Sequence, residues 1–302
     1  MITRRGFIRL VWTGIGACVA LAGYSTGIEA MAKPRTTRYR PDLPDWPTAL
    51  GLKIVVLADF HACEPWMTHD RIAAICDQAN ALRPDLILLL GDFVSGMKLV
   101  TDEVDPLLWS RAMARLSAPL GVHAVLGNHD YWSDDSVQFQ LKGKPFAQLA
   151  LEDVGIPVYV NQAVRFEKDG IGFWLAGLGD QLAYSSLRAA ERDAVWGIDD
   201  LAGTLTQVTD DAPVILMAHE PDIFPEVPAR VALTLSGHTH GGQVNLFGWK
   251  PIVPSRYGSR YAGGHMVENG RHLIVSKGLG CTGLPVRFGA WPEILEIDLG
   301  RA

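Results

Sequence analysis

The stretch Leu235–Gln243, LSGHTHGGQ, sets two histidines one residue apart among glycines, directly after an apolar run. Four other apolar runs end in a similar way: in Asp59 and His61, in Asp92, in Asn128 and His129, and in His219. Carboxylates, imidazoles and one amide oxygen form a donor set suited to Mn, Fe or Zn rather than to the all-oxygen cages of Mg or Ca. In Asp59-Phe60-His61, residues i and i+2 of an extended segment point to the same side, so both could grip one ion while Phe60 turns into the core. His238-Thr239-His240 repeats that spacing, and Gly237, Gly241 and Gly242 let the backbone turn closely around it. Asp92 has the chemistry of a bridge, since one carboxylate can share its oxygens between cations roughly 3.5–4 Å apart. Taken singly, each residue has a plainer reading. An Asp after a strand caps the next helix, Gly-Asn makes a turn, and a lone His is a hydrogen-bonding partner. Recurrence at the ends of five apolar runs favours a metal site.

The elements that must carry these residues are legible around them. LKIVVLADFH is a short β-branched run; residues 69–82 then place Ile72, Ile75, Ala79 and Leu82 at helical spacing, and Pro84 marks the stop. DLILLLGD is a second buried strand, a helix is predicted over about 104–117, and GVHAVLGNHD is a third strand. Such a strand, helix, strand series gathers its polar residues at strand C-termini, where open α/β sheets hold their sites. The second half is richer in strands. Residues 158–170 and 172–180 predict a pair joined at Asp169-Gly170, and 185–209 reads as an interrupted helix. Runs ending at His219 and at His238 come next, then a Gly/Pro/Tyr-rich stretch to Gly264, strands in 264–276, a glycine-rich loop over 277–292, and an alternating strand over 293–299. Periodicity alone suggests one open sheet, with no internal repeat and no linker that forces a second domain.

In order, DFH, GD, GNHD, H and GHTH resemble the motifs of the calcineurin-like metallophosphoesterase superfamily, and they run from Asp59 to His240. LRPDLILLLGDFVSG, APLGVHAVLGNHDYW, PSRYGSRYAGG and GLGCTGLPVRF are similar to a bacterial membrane-associated branch, some of whose members are related to enzymes that cleave UDP-2,3-diacylglucosamine. The resemblance covers most of residues 50–299. It implies a four-layer αββα sandwich with two central mixed sheets, an α/β fold (α+β in some schemes), and two divalent ions, Mn, Zn or Fe. Asp59, His61 and His240 would hold one ion, Asn128, His219 and His238 the other, and Asp92 both. A water or hydroxide shared by the ions would attack phosphorus in line, His129 would protonate the leaving oxygen, and Asp130 would orient His129. Some relatives carry Glu where this chain has Asp130. The implied activity is a two-metal phosphoester hydrolase, a phosphodiesterase before a monoesterase, on a lipid or nucleotide-lipid phosphate at the cell envelope.

Substrate contacts are sought in the glycine-rich loops, where Tyr257, Arg260, Lys277 and Arg287 are candidate phosphate partners. Trp66, Met67, Tyr131 and Trp132 are candidates for an apolar lip. Alternatives are a phosphomonoesterase or small-molecule phosphodiesterase with no lipid role, and an exported non-catalytic metal-binding protein. A nuclease is disfavoured by charge. Residues 1–40 hold seven Arg/Lys and one Glu, leaving 20 basic and 32 acidic residues, so the body carries a formal charge of about −12 and offers no track for a polyanion. No nucleic acid and no obligate protein partner is expected, while peripheral membrane contact is left open.

The chain begins with Arg4-Arg5-Gly-Phe-Ile before an uncharged run from Leu10 to Ile28. TRRGFIR resembles a twin-arginine export signal, and Ala30-Met-Ala32 could serve a signal peptidase. Residues 1–32 are therefore read as a signal peptide, cleaved in the first reading, or as a membrane anchor; an ordinary buried helix is the third option. Either of the first two puts the body in the periplasm or on the outer face of the cytoplasmic membrane. Residues 33–50, with four prolines and three arginines, read as a linker or peripheral arm, and 51–302 as the metallophosphoesterase domain. At 302 residues and 48% hydrophobic content the chain has ample material for a large core. Cys18, Cys63, Cys76 and Cys281 are too few and scattered for a disulfide framework.

Overall fold

The computed structural model describes residues 3–185 and 195–300. Its two large sheets are built from β1 (Arg35–Tyr39), β2 (Leu52–Leu57), β3 (Leu86–Leu90), β4 (Val122–Val125), β5 (Gln162–Lys168), β6 (Ile171–Gly177), β7 (Val214–Met217), β8 (Val231–Ser236), β9 (Gly264–Glu268), β10 (Arg271–Val275) and β11 (Glu293–Leu299). The first sheet runs β1-β11-β2-β3-β4 and the second β9-β10-β8-β7-β6-β5. Both are mixed. In the first, β2, β3 and β4 are parallel and β11 is antiparallel to β2; in the second, β10, β8, β7 and β6 are parallel and a hairpin strand closes each edge. The single open sheet suggested by periodicity is thus two sheets, because strands buried on both faces read alike whichever sheet they join.

Alternation along the strands sorts the core into layers. Ile54 and Val56 of β2 meet Leu175, Ile215, Met217, Leu233 and Leu235 of the second sheet, filling the space between the sheets. Val55 and Leu57 face the other way, onto Ile72, Ile75 and Ala79 of a helix and Trp109 and Met113 of another. The outer face of the second sheet is covered by Ile223, Phe224, Val227 and Tyr261, contributed by short 3-10 turns and loops. This is the αββα order with one thin outer layer among the described residues.

Four helices bear on the site and its surroundings: α1 (Arg4–Gly23), α2 (His69–Ala81), α3 (Pro106–Met113) and α4 (Asn128–Trp132). Thr68 caps α2 by accepting the Arg71 N–H. Helix α3 is shorter than the predicted 104–117. Beyond Met113, Asn80 takes over backbone groups of the chain, donating to the Arg115 carbonyl and accepting the Ser117 N–H, and Pro119 bars continuation. The helix predicted over 185–209 lies partly outside the described residues; within them Val195–Trp196 pairs as a strand with Tyr184–Ser185, and only Leu201–Leu205 is helical. The segment 33–50 is not a free linker: β1 pairs parallel with β11 and forms an edge of the first sheet.

Candidate metal centre

Parallel β2, β3 and β4 deliver Asp59 and His61, Asp92, and Asn128 to one edge; β7 and β8 deliver His219, His238 and His240 to the same edge from the second sheet. The chain does not arrive there in extended form. Asp59, His61, Asp92, His238 and His240 all have φ between 50° and 67°, in the left-handed region that costs an L-residue about 1–2 kcal/mol. The extended same-side geometry inferred from spacing is thus replaced by tight kinks at these residues. Phe60 turns into the core as expected.

The ligand atoms fall into two groups that share a residue. Asp59, His61, Asp92 and His240 form one, and Asp92, His219 and His238 the other, every member buried and each group's donor atoms within 4.8 Å of one another. Asp92 Oδ2 lies 3.5 Å from His61 Nε2 and 3.2 Å from His219 Nε2. The tautomers follow from what lies behind each ring. His61 Nδ1 is 3.0 Å from the Val94 carbonyl and His219 Nδ1 2.5 Å from the Leu90 carbonyl. A carbonyl only accepts, so each Nδ1 donates its proton, which leaves Nε2 as the nitrogen that would face an ion. His61 Nε2 and His240 Nε2 stand 3.0 Å apart.

Several atoms here lack partners. Asp59 Oδ2 and Asn128 Oδ1 are buried without a hydrogen bond, although Asp59 Oδ1 accepts the His238 N–H at 2.8 Å. A buried polar atom without a partner costs about 1–3 kcal/mol, and both point to a ligand the side chains were built for. The electrostatics agree. Burial pushes Asp59 up to about 7, and pushes His61 and His238 down to about 3 and about 4. Burial opposes ionisation of Asp92 too, but His219, His129 and His61 hold it well below the usual carboxylate range. His219 in turn is raised well above an ordinary imidazole, Asp92 overriding burial. Imidazoles held neutral at His61 and His238 beside an ionised Asp92 are the protonation states in which divalent cations would be held. Carboxylate, imidazole and amide donors fit Mn, Zn or Fe.

His129 stands at the edge of this cluster. Its ring meets His61 edge-on at 5.0 Å and Trp132 at 5.2 Å, and its backbone N–H donates to Asp92 Oδ1 at 2.9 Å. Gly96 packs against the imidazole so closely that a Cβ there would lie 1.9 Å from it. Among the described residues no hydrogen bond joins the Asp130 carboxylate to the His129 ring. The Asp130 carboxylate accepts the backbone N–H groups of Asp92, Phe93, Val94 and Gly127 at 2.8–3.1 Å, so it shapes the Asp92 turn, on which the His129 N–H in turn rests. The partner His129 does have is Thr282, whose Oγ1 is 3.1 Å from Nε2.

A cleft of about 590 Å³ opens over Asp92, Asn128, His129 and His238. Arg256, Trp132 and Trp196 also line it, together with Glu220 and Thr282. None of the four predicted substrate contacts does. Arg287 is fully buried, donating to the carbonyls of Gly280, Ala290 and Lys277, with His240 Nδ1 3.3 Å away. Arg260 pairs with Glu268 at the surface, Lys277 lies 3.3 Å from Glu293, and Tyr257 packs on Tyr261. Of the predicted lip, Trp132 reaches the cleft, whereas Met67 and Tyr131 are core residues and Trp66 donates to the Thr26 carbonyl. Arg256 sits in the same PSRYGSRYAGG stretch as Arg260, and only the fold distinguishes them. In the opening histidine pair, His240 belongs to one ligand group and His238 to the other, and a Cβ on Gly237 would stand 2.8 Å from Asp59 Oδ2. The glycine makes room for a ligand.

Comparison with known proteins agrees with this geometry. The calcineurin-like phosphoesterase family matches residues 52–242. The metallophosphoesterase YkuE of Bacillus subtilis is 30% identical over 99% of this chain and 98% of its own length. A metallophosphoesterase of Aquifex aeolicus is 28% identical over 88% of this chain and 91% of its own length. A zebrafish (Danio rerio) transmembrane protein with a metallophosphoesterase domain is 27% identical over 99% of this chain, which spans 63% of that protein. With its buried Asp/His cluster at the joined edges of two mixed sheets, the chain belongs to the calcineurin-like phosphoesterase family of metal-dependent phosphohydrolases.

Proposed function

We propose that the chain is a two-metal phosphodiesterase acting at the cell envelope on phosphate esters that carry an apolar group. The observation that carries this reading is the paired ligand set around Asp92 with His129 beside it. Asp59, His61, Asp92 and His240 would hold one ion, and Asp92, Asn128, His219 and His238 the other. Two divalent cations supply, when bound, positive charge for the phosphoryl oxygens and acidify water. The chain's own residues do the rest. His61 and His219 are locked by their carbonyl partners with Nε2 inward. His129 lines the cleft with Thr282 Oγ1 3.1 Å from its Nε2, and in its protonated form it is placed to donate to the departing oxygen. Diesters of poorly acidic alcohols need that proton; nitrophenolates leave without it. Arg256 is set to receive an anionic group, and Trp132 and Trp196 to flank an apolar or planar one. An apolar hollow of about 390 Å³, lined by His240, Thr282, Val244, Ile252, Leu284 and Val286, adjoins the cleft and supports a lipid-bearing substrate. Envelope placement draws on the exposed apolar α1 and on the transmembrane name of the zebrafish relative.

The test is turnover per bound metal pair on p-nitrophenyl phosphate, its bis ester, a cyclic nucleotide and UDP-2,3-diacylglucosamine, after reconstitution with manganese. Preference for diesters supports the reading, and preference for the last supports the lipid class. Faster monoester hydrolysis would replace the diesterase with a phosphomonoesterase. Two bound ions with no turnover on any ester would leave a non-catalytic metal protein.

A further inference from the structure

Helix α1 has no buried side chain; with the turn after it, residues 4–29 are long and apolar enough to cross a membrane, the uncharged part of α1 covering about 21 Å of the roughly 30 Å hydrocarbon and the arginines at its start reaching the interface. The segment after α1 is built into the body. Ser25, Glu29 and Ala30 are buried. The Arg287 N–H donates to the Ser25 carbonyl at 3.0 Å and the Ala290 N–H to Glu29 Oε1 at 2.9 Å. Trp66 Nε1 donates to the Thr26 carbonyl, and the Arg71 guanidinium to the carbonyls of Ala30 and Ala32, both at 3.1 Å. Cleavage after Ala32 would strip these donors of their acceptors and uncover the core beneath Ala30.

Where α1 ends, Tyr24 meets Phe288 edge-on at 6.1 Å, and both line a hollow of about 550 Å³ together with Phe247. Phe247 is entirely exposed, and Trp249, Ile252 and Leu284 are 64%, 75% and 55% exposed. Large apolar side chains bared together are unusual on a protein that meets only water. Arg35, stacked 4.0 Å over Trp291, Lys277 paired with Glu293, and Glu29 border the same hollow, and aromatic residues of this kind are favoured at a membrane interface. The arginines Arg4, Arg5 and Arg9 begin α1, which orients the body to the outer side by the positive-inside rule.

We propose that segment 24–32 makes α1 a retained anchor and lays Phe247, Trp249, Ile252 and Leu284 into the headgroup region of the same bilayer. The occupant of this face is lipid because the face adjoins the point where the apolar length of α1 ends. Ile252 and Leu284 also line the hollow that reaches His240 and Thr282, so the metal cleft opens beside the membrane surface. The inference stands apart from the hydrolase reading, since it uses no metal and no turnover.

The full chain, with Cys18→Ser, is reconstituted into vesicles of phosphatidylethanolamine and phosphatidylglycerol. A nitroxide is placed through Phe247→Cys, Ile252→Cys or, as a control on the exposed face of helix Phe146–Asp153, Leu149→Cys. Accessibility to oxygen relative to a water-soluble nickel chelate is then read for each. A ratio severalfold higher at 247 and 252 than at 149 is expected. Equal ratios overturn the docking face, and so would labels shielded from both reagents in detergent as well as in vesicles, which would mean that a second copy covers the patch. Independently of any substitution, the intact mass of the chain purified from membranes is expected to include residues 24–32. A mass beginning at residue 33 overturns the anchor.

Discussion

At Asp130 one carboxylate satisfies four backbone N–H groups across the turn that carries Asp92. Asparagine has one acceptor oxygen and would turn an amide against donors. Asp130→Asn is therefore expected to cost about 2–3 kcal/mol of stability and to lower the number of metal ions held per chain, read by melting and by elemental analysis. Two ions retained with only diester turnover lost would favour the orienting role for Asp130. His129→Ala should behave oppositely. Both ions stay, turnover of alkyl diesters falls by about 10²–10⁴, and nitrophenyl esters lose far less; equal losses on both would end the general-acid assignment. Gly96→Ala should reproduce the same pattern, because the new methyl would overlap the His129 ring. Residue types and spacing single out candidate ligands because each lies just beyond an apolar strand, while their division between two ions is what the family resemblance implies. Arg256, Thr282 and the buried role of Arg287 were not legible. Glycine-rich loops carry no period, and whether an arginine there meets solvent, a carbonyl or a cleft depends on contacts distant in the chain.

Among the elements, the parallel strands and α2 follow from periodicity, whereas β1 left no signal. Its sequence RTTRY has no apolar alternation because an edge strand is half bare, and its partner β11 lies at the far end of the chain. It is held by the ladder and by polar side chains: Thr37 Oγ1 donates to Glu293 at 2.5 Å, and Arg38 pairs with Glu296 at 2.6 Å. Such ladder bonds are worth about 0.5–1.5 kcal/mol each, net. A chain starting at residue 41 should therefore melt below one starting at residue 33. A loss of about 3 kcal/mol corresponds to roughly 6–12 °C, and the uncovered edge of β11 invites aggregation. Equal melting temperatures would return residues 33–50 to the status of a linker. The same logic explains why the second outer layer escaped the sequence. Turns at Pro221–Glu226 and Gly258–Tyr261 are too short to establish a helical period, yet Phe224 and Tyr261 fill their side of the core.

Across the whole molecule the candidate centre straddles the two sheets. Asp59, His61, Asp92 and Asn128 come from the first, and His219, His238 and His240 from the second, with the His238 N–H already reaching across to Asp59. Ions bound there would tie together two layers otherwise joined mainly by the apolar filling between them. Binding to the folded state alone stabilises by about 2.7 kcal/mol at a hundredfold excess over the dissociation constant, and by about 4.1 at a thousandfold. For a body of this size each kcal/mol moves the melting temperature by roughly 2–4 °C. Manganese added to chelator-stripped protein is thus expected to raise the melting temperature by about 5–15 °C. Most of that gain should vanish in Asp92→Asn, which keeps the shape of the side chain but loses the charge shared by the two ligand groups. Because the ligands are divided, hydrogen exchange should slow on both sides of the seam, at the Asp59 amide after β2 and at the Gly237 amide after β8. Each ligand group draws on both sheets, so protection confined to one sheet would mean that no ion spans the seam and that the two halves of the fold are held by packing alone.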